Sequence, residues 1–162
     1  MGNSVEKIAL GGGCHWCTEA VFQELKGVEK VEQGFVASSG KNSSFSEAVI
    51  VYFDPTLIPL ERLIEIHLHT HSSTSGHSMR SKYRSAIYTF NETQNINASN
   101  ILQNLQLAFK KSLVTEVLSF RKFKISAEEF QNYYKKDPSK PFCRSYINPK
   151  LKKLLLEFSE NL

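Results

Sequence analysis

The segment from residue 11 to residue 17, with the sequence GGGCHWC, joins two stretches of different hydrophobic periodicity. Residues 7–10 before it form an apolar run typical of a buried strand, and the apolar residues among 18–25 recur at helical spacing. The glycines therefore form the turn, and Cys14 lies at the first turn of the helix. Unpaired backbone N–H groups and the helix dipole favour an anion there. For a cysteine that anion is the thiolate, so Cys14 is a candidate nucleophile with a lowered pKa.

Length and composition limit the class of protein. The 162 residues, 41% of them hydrophobic, are enough for one domain spanning residues 1–162 with a substantial core. The net charge of +4 is scattered and does not form the basic, aromatic stripe of a nucleic-acid-binding protein. Residues 1–7 lack the pattern of a signal peptide, and no run approaches the ~18 apolar residues of a membrane helix. We therefore expect a cytoplasmic monomer that contacts neither nucleic acid nor membrane.

The pattern of apolar residues predicts an α+β fold. After the first strand and helix it indicates two strands, a helix and a fourth strand, at residues 31–37, 47–53, 59–67 and 83–90. The order β-α-β-β-α-β is that of a ferredoxin-like core. Beyond this core we expect one added C-terminal strand at residues 114–120, and helices at residues 92–109, 126–134 and 149–162.

Three cysteines suggest redox chemistry. Cys14 and Cys17 form a Cys-x-x-Cys at a helix start, which is the spacing of thiol–disulfide centres. Cys143 follows a segment rich in proline and lysine, which we predict to be a mobile loop that brings a second thiol to Cys14. The alternatives are that Cys14 and Cys17 are small apolar residues of a helix, and that Cys143 is an incidental exposed thiol. In a reducing compartment permanent disulfides between them are rare.

Other residues with possible chemical roles have equally ordinary alternatives. Glu47 opens the most apolar strand, where a desolvated carboxyl group can donate a proton near neutral pH; an ordinary carboxylate at a strand edge is the alternative. Tyr83 opens the fourth predicted strand, and Trp16 lies two residues after Cys14. Either aromatic residue can belong to the core instead of to a site.

Four histidines raise the question of a metal site. They are His67, His69, His71 and His77. His67 and His71 share one face of a helix, and together with Cys14 and Cys17 they offer the ligand types that zinc prefers. The chain nevertheless lacks paired ligands at zinc-finger spacing. We therefore predict solvated histidines and no metal.

Several of these residues stand in segments that resemble, in order, the motifs of the peptide methionine sulfoxide reductase A family. Residues 13–20 (GCHWCTEA) resemble its Gly-Cys-Phe-Trp-Gly-x-Glu signature, and residues 47–55 resemble its His-Ala-Glu-Val strand that ends in Tyr-Asp-Pro. Residues 83–88 (YRSAIY) resemble its Gln-Tyr-Arg-Ser-x-Ile element. Residues 127–131 and 142–143 resemble its Ala-Glu-Asp-Tyr-His and C-terminal Tyr-Cys segments.

The resemblance implies reduction of the S epimer of methionine sulfoxide, free or in proteins. Cys14 corresponds to the nucleophile that attacks the sulfur and becomes a sulfenic acid, and Glu47 to the acid that protonates the oxygen. Tyr83 corresponds to a tyrosine that hydrogen-bonds this oxygen. Trp16 corresponds to the residue that holds the substrate methyl group, with His15 in the wall of the same pocket. The sulfenic acid then condenses with a second thiol, and thioredoxin reduces the resulting disulfide. The resemblance thus implies a reaction that needs no metal and no organic cofactor.

Two questions stay open at the level of sequence. The short spacing favours Cys17 as the first thiol to resolve the sulfenic acid, whereas the resemblance points to Cys143. A second possible function is that of a thiol–disulfide oxidoreductase or redox sensor that uses Cys14 and Cys17.

The chain departs from the family pattern at four places. His15 replaces a phenylalanine, and Cys17 replaces a glycine. The loop before Glu47 lacks the tyrosine that the family carries there, and Ser78 replaces an aspartate. These departures predict a site that is more polar and more redox-capable than the family pattern.

Overall fold

A six-stranded sheet forms the centre of the protein, as seen in a computed structural model that describes residues 5–76, 80 and 82–162. The strands are β1 (Glu6–Gly11), β2 (Val28–Ala37), β3 (Ser46–Phe53), β4 (Ala86–Thr89), β5 (Glu116–Ser119) and β6 (Lys122–Ile125). Their order in the sheet is β5-β4-β1-β3-β2-β6. Neighbouring strands are antiparallel except for β4 and β5, which are parallel.

The long helices pack on one face of this sheet. The helices are α1 (His15–Gln23), α2 (Leu60–His69), α3 (Glu92–Leu105), α4 (Tyr133–Lys136) and α5 (Asn148–Phe158). Side chains alternate between the two faces of a strand, so Ile8 and Leu10 of β1 join the main core with residues of α1, α2, α3 and α5. Ala9 faces the other way, into a second cluster that contains the buried Tyr88. Within the described residues, no helix is long and apolar enough to cross a membrane.

The mixed α+β class is confirmed, and the first three strands and the second and third helices lie within a few residues of their predicted positions. The added strand predicted at residues 114–120 is β5, but a further strand, β6, was not predicted; it follows β5 and pairs with β2 at the opposite edge of the sheet. Residues 122–125 have the sequence KFKI, and a four-residue strand that carries two lysines gives little hydrophobic signal.

Three other segments also differ from prediction. The helix predicted at residues 126–134 is instead a 3₁₀ turn, Glu128–Phe130, followed by α4. The fourth strand begins at Ala86, so Tyr83 lies in the loop before it. The predicted loop around Cys143 is instead the π-helical turn Cys143–Ile147, which leads directly into α5. Pro138 and Pro141, in the lysine-rich segment just before Cys143, make this part of the sequence look like a loop.

His67 of α2 and His71 in the turn after it belong to a buried polar network, and the prediction that these two are solvated was wrong. His69 is partly buried and stacks on Phe109. His67 donates from Nε2 to the carbonyl oxygen of Gly11 at 2.7 Å. His71 donates from Nδ1 to the carbonyl oxygen of His67 at 2.5 Å, and its Nε2 accepts from the Ser85 hydroxyl at 2.8 Å. That hydroxyl in turn accepts from Thr115 at 2.7 Å. The last acceptor of the network is the carbonyl oxygen of Gly11, so the network holds the first residue of the glycine turn in place. His77 lies outside the described residues.

Replacing Gly34 by alanine should destabilise the pairing of β2 with β6. A Cβ atom at Gly34 would lie 2.4 Å from the carbonyl oxygen of Lys124 and 2.6 Å from the Phe123 ring, so the strands would have to separate. We expect the free energy of unfolding to fall by about 1–3 kcal/mol in urea denaturation. Gly76→Ala is the matched control, since a Cβ atom there has no neighbour within 4 Å among the described residues. Equal stability of the two variants would contradict this account.

The stability of the protein should decrease on acidification because of His67. Burial lowers the pKa of His67 from 6.5 to about 4, so below pH 6.5 the unfolded chain binds a proton that the native state excludes. The free energy of unfolding should therefore fall by up to about 1.4 kcal/mol per pH unit from this residue, until the pH reaches about 4. In His67→Gln this slope against pH should be shallower by the same amount. Parallel slopes in urea denaturation between pH 7 and pH 4.5 would refute it.

Candidate active site

Cys14 is the N-cap residue of α1, as the glycine turn predicted. Its carbonyl oxygen accepts the N–H of Cys17 at 3.1 Å and that of Thr18 at 3.2 Å, which begins the helix. The pKa of Cys14 is lowered, first by a hydrogen bond from the Cys17 thiol and then by the backbone N–H groups of Trp16 and Cys17. Burial and the negative charge of Glu47 oppose this effect. Cys14 is therefore the sulfur most readily converted into a thiolate.

The three cysteines lie in one hydrophobic cluster. Cys17 and Cys143 are buried, with 3% and 0% of their surface exposed, and Cys14 packs against them. The pKa of Cys17 is raised, because its proton is held between its own sulfur and that of Cys14 and because the thiol is buried. Burial also raises the pKa of Cys143, whose thiol faces the carbonyl oxygen of Asp137 at 3.5 Å. The structure thus brings one thiolate-forming cysteine together with two protonated thiols.

Glu47 reaches the glycine turn through the pairing of β1 with β3. The register sets Gly11 opposite Ala48, so the residue before Ala48 stands beside the turn. The side chain of Glu47 is buried, and its Oε1 accepts the backbone N–H of His15 at 3.1 Å. Its own backbone N–H donates to the carbonyl oxygen of Lys82 at 3.0 Å. This contact ties the loop that carries the next residue, Tyr83, to the start of β3.

A cleft of about 620 Å³ opens beside Cys14. Its walls include Gly13, Cys14, Tyr83, Phe142, Tyr146 and Lys150. Arg80 connects two sides of it, donating to the carbonyl oxygens of Gly12 at 2.7 Å and of Tyr83 at 2.8 Å. Tyr83 and Cys14 therefore share one cavity. Glu47, His15 and Trp16 lie outside its lining.

Lys150 is a site residue that the sequence analysis did not identify. Its Nζ donates to the carbonyl oxygen of Thr70, and burial lowers the pKa of its ammonium group. Its positive charge lowers the pKa of Cys17, although less than the first two effects raise it. In sequence Lys150 belongs to a run of lysines near the chain end, so nothing distinguishes it from a solvent-exposed residue.

Trp16 is held in an aromatic cluster by the C-terminal segment. Its ring is stacked on Tyr133 at 4.1 Å and 8°, with Phe130 at 5.5 Å and the edge of Phe142 at 5.1 Å. The buried carboxylate of Glu19 accepts the backbone N–H of Tyr133 at 3.2 Å, which fixes this stack. The sequence analysis missed these partners, because they lie more than a hundred residues from Trp16.

His15 occupies a different place from the one predicted. Its ring is directed away from the cleft, towards β2, and its Nδ1 lies 2.7 Å from the carbonyl oxygen of Gly34. Its Nε2 lies 3.5 Å from Oε1 of Glu47, and Phe35 packs against the ring edge at 5.1 Å. Burial lowers the pKa of His15. The hydrogen bond to Gly34 and the charge of Glu47 raise it, but by less. The imidazole is thus neutral at physiological pH.

The part of the chain that the structure describes holds no group of three or more His, Cys, Asp or Glu residues placed to bind a metal ion. Ser78, which stands where the family pattern has an aspartate, lies outside the described residues.

Comparisons with known proteins identify the family of the chain. The family model for peptide methionine sulfoxide reductase matches residues 6–161. The chain is 36% identical over 172 residues to a peptide methionine sulfoxide reductase MsrA of Psychrobacter sp. (strain PRwf-1), covering 96% of this chain and 98% of that protein. Methionine sulfoxide reductase A of Corynebacterium diphtheriae has a similar structure, with a TM-score of 0.70, 28% identity and coverage of 83% and 76%.

Mxr1 from Saccharomyces cerevisiae, solved in complex with Trx2, has the same fold. Its TM-score is 0.64 at 20% identity, with 82% of this chain and 89% of that chain covered. The range matched by the family model, residues 6–161, includes all three cysteines, Glu47 and Tyr83. The chain belongs to the peptide methionine sulfoxide reductase family.

Proposed function

We propose that the protein reduces methionine S-sulfoxide, free or in oxidised proteins, to methionine. The observation that carries this proposal is the pairing of a thiolate-forming Cys14 at a helix start with the buried carboxyl group of Glu47. Such a pair supplies a nucleophile for sulfur and an acid for oxygen within one site. Membership of the family supports the substrate class.

In this mechanism the Cys14 thiolate attacks the sulfoxide sulfur while Glu47 protonates the oxygen, and Tyr83 hydrogen-bonds that oxygen. The S–O bond of the substrate is broken, methionine leaves, and Cys14 becomes a sulfenic acid. Trp16 is the proposed seat of the substrate methyl group, since it packs in the same cluster as Cys14.

Resolution of the sulfenic acid needs a second thiol, which forms a disulfide and releases water. Cys17 is the proposed first partner, because its thiol already donates a hydrogen bond to Cys14. Cys143 is the second, as it shares the cluster with Cys17. A dithiol reductant then restores the enzyme by thiol–disulfide exchange. Thioredoxin is the proposed reductant, and the complex of Mxr1 with Trx2 supports this choice.

We further propose that the chain forms a single domain whose core, made of β1, β2, β3 and β4, is ferredoxin-like. We also propose that the protein is a monomer and works in a reducing compartment. The order β4-β1-β3-β2 and the antiparallel pairing of these strands support the ferredoxin-like arrangement. The free thiols of all three cysteines are consistent with a reducing compartment.

Activity should be confined to the S epimer of a methionine sulfoxide peptide in a thioredoxin-coupled assay. Cys14→Ser should abolish turnover, because it removes the nucleophile. Glu47→Gln should lower kcat by about a hundredfold or more, because the amide cannot give up a proton. Glu24→Gln, on the exposed end of α1, is the matched control and should leave activity unchanged.

The absence of turnover on either epimer by the unmodified chain would overturn the proposal. The pair of Cys14 and Cys17 is also typical of a thiol–disulfide oxidoreductase, for which we expect a different response to these substitutions. Such an oxidoreductase would tolerate Glu47→Gln and lose disulfide exchange on replacement of Cys17.

After one equivalent of sulfoxide, the first disulfide should join Cys14 to Cys17. Cys17 follows Cys14 in the first turn of α1, and its thiol hydrogen-bonds the Cys14 sulfur, so these two sulfurs are neighbours. Peptide mapping by mass spectrometry after rapid acid quenching should therefore find this linkage before any that contains Cys143. Cys143→Ser should leave the first linkage unchanged, and Cys17→Ser should slow disulfide formation. A linkage of Cys14 to Cys143 at the earliest time point would show that Cys143 resolves first.

A further inference from the structure

Lys150 brings a positive charge into the wall of the cleft beside Cys14. It follows Phe142 and Tyr146 at intervals of four residues in one continuous helical segment, and all three residues line the cleft. Its ammonium group donates to the carbonyl oxygen of Thr70, at the end of α2, which holds the side chain in place. An ammonium group has three N–H donors, so this contact leaves two for a ligand.

The ammonium group of Lys150 has no carboxylate partner among the residues that the structure describes, since none of their ion pairs includes it. Burial lowers the pKa of Lys150, and the like charge of Lys153 acts in the same direction, while the thiolate charges of Cys17 and Cys14 oppose this effect. A cation that is partly removed from water without a counter-ion is destabilised. A negatively charged ligand group would therefore be stabilised beside Lys150.

Lys150 supplies the only positive charge among the described residues that line the cleft. His71, which also lines it, is neutral, because burial holds the pKa of its ring well below 6.5. Nearby Arg80 uses its guanidinium group to donate to four backbone carbonyl oxygens. The thiolate of Cys14 repels a second anion in the cleft. A ligand with one anionic group is therefore oriented, with that group against Lys150 and an uncharged part towards Cys14.

We propose that Lys150 is a substrate-binding residue that pairs with a carboxylate group of the substrate whose sulfoxide reaches Cys14. This inference rests on the proposed reduction of methionine sulfoxide. Free or C-terminal methionine sulfoxide carries such a group as its α-carboxylate, and an acidic residue next to an internal methionine sulfoxide carries one on its side chain. The pair forms in the bound substrate and in the transition state alike, so it lowers KM and leaves kcat unchanged.

The test compares the S epimer of N-acetylmethionine sulfoxide, which has an α-carboxylate, with its uncharged amide. Lys150→Met removes the charge and retains an apolar side chain. It should raise KM for the carboxylate substrate about tenfold, as expected for the loss of a charge-assisted hydrogen bond, with kcat unchanged. KM for the amide should stay within twofold of the parent. Lys150→Arg, which retains the charge, should behave like the parent.

Lys152→Met is the matched control, because it removes the same charge from an exposed position two residues away in α5. Both KM values should be unchanged in this variant.

Two further substrates identify the source of the carboxylate. They are N-acetylated dipeptide amides in which methionine S-sulfoxide is followed by aspartate or by asparagine. If a side-chain carboxylate is the partner, Lys150→Met raises KM for the aspartate peptide and not for the asparagine peptide. If the α-carboxylate is the partner, only N-acetylmethionine sulfoxide responds.

Salt provides a check that does not depend on the folding of any variant. Raising the ionic strength from 0.01 M to 1 M shortens the Debye length from about 30 Å to about 3 Å. In the unmodified chain, kcat/KM for the responding carboxylate substrate should therefore fall relative to that of its uncharged counterpart.

Equal changes in KM for the charged and uncharged substrates in Lys150→Met overturn the inference. A purely structural role, or an effect exerted only through the Cys14 thiolate, acts on both kinds of substrate in this way. A ratio of kcat/KM values that does not change with salt overturns it as well. No turnover of any of the four substrates by the parent overturns the proposed function instead, so the two failures are distinguishable.

Discussion

The antiparallel pairing of β1 with β3 determines where the reactive groups stand relative to each other. It places the glycine turn after Gly11 beside the first residues of β3, and so sets Glu47 against the backbone of His15 and near the sulfur of Cys14. A slip of one residue would turn Glu47 to the other face of the sheet. Hydrogen bonds then hold the loop before β4 against this turn. Glu47 donates to Lys82, and Arg80 donates to Gly12 and Tyr83. These contacts add to a placement that the register of β1 and β3 determines.

The hydrogen-bond network that ends at the glycine turn is polar, unlike most of the core around it. A buried series of hydrogen bonds ends at the carbonyl oxygen of Gly11. The donors follow one another from Thr115 to Ser85, His71 and His67. Because the two histidine rings donate to carbonyl oxygens, which cannot donate in return, the direction of every hydrogen bond is fixed. A buried network of this kind orders the groups that it joins, since a misplaced member loses its hydrogen-bond partner away from water. The glycine turn is held in this way without any side chain of its own.

Local patterns in the sequence predicted the local parts of the protein. The helix start at Cys14 and the strand that carries Glu47 could be predicted, because periodicity and glycine content depend on neighbouring residues. The orientation of His15 towards Gly34, the stacking of Tyr133 on Trp16 and the buried position of Lys150 all depend on residues distant in the chain. The buried histidines were mistaken for solvated ones, because their acceptors are backbone carbonyls, which every sequence contains.

The residues of β6 have a consequence for association between molecules. This strand lies at one edge of the sheet and exposes its lysines, Lys122 and Lys124, while Ile125 is 56% exposed. A strand from another molecule that added to this edge would bring its side chains against two ammonium groups. β5, at the opposite edge, has only four residues to offer for pairing. The short, lysine-bearing strand that is hardest to detect in the sequence thus protects the sheet from aggregation through edge-to-edge growth.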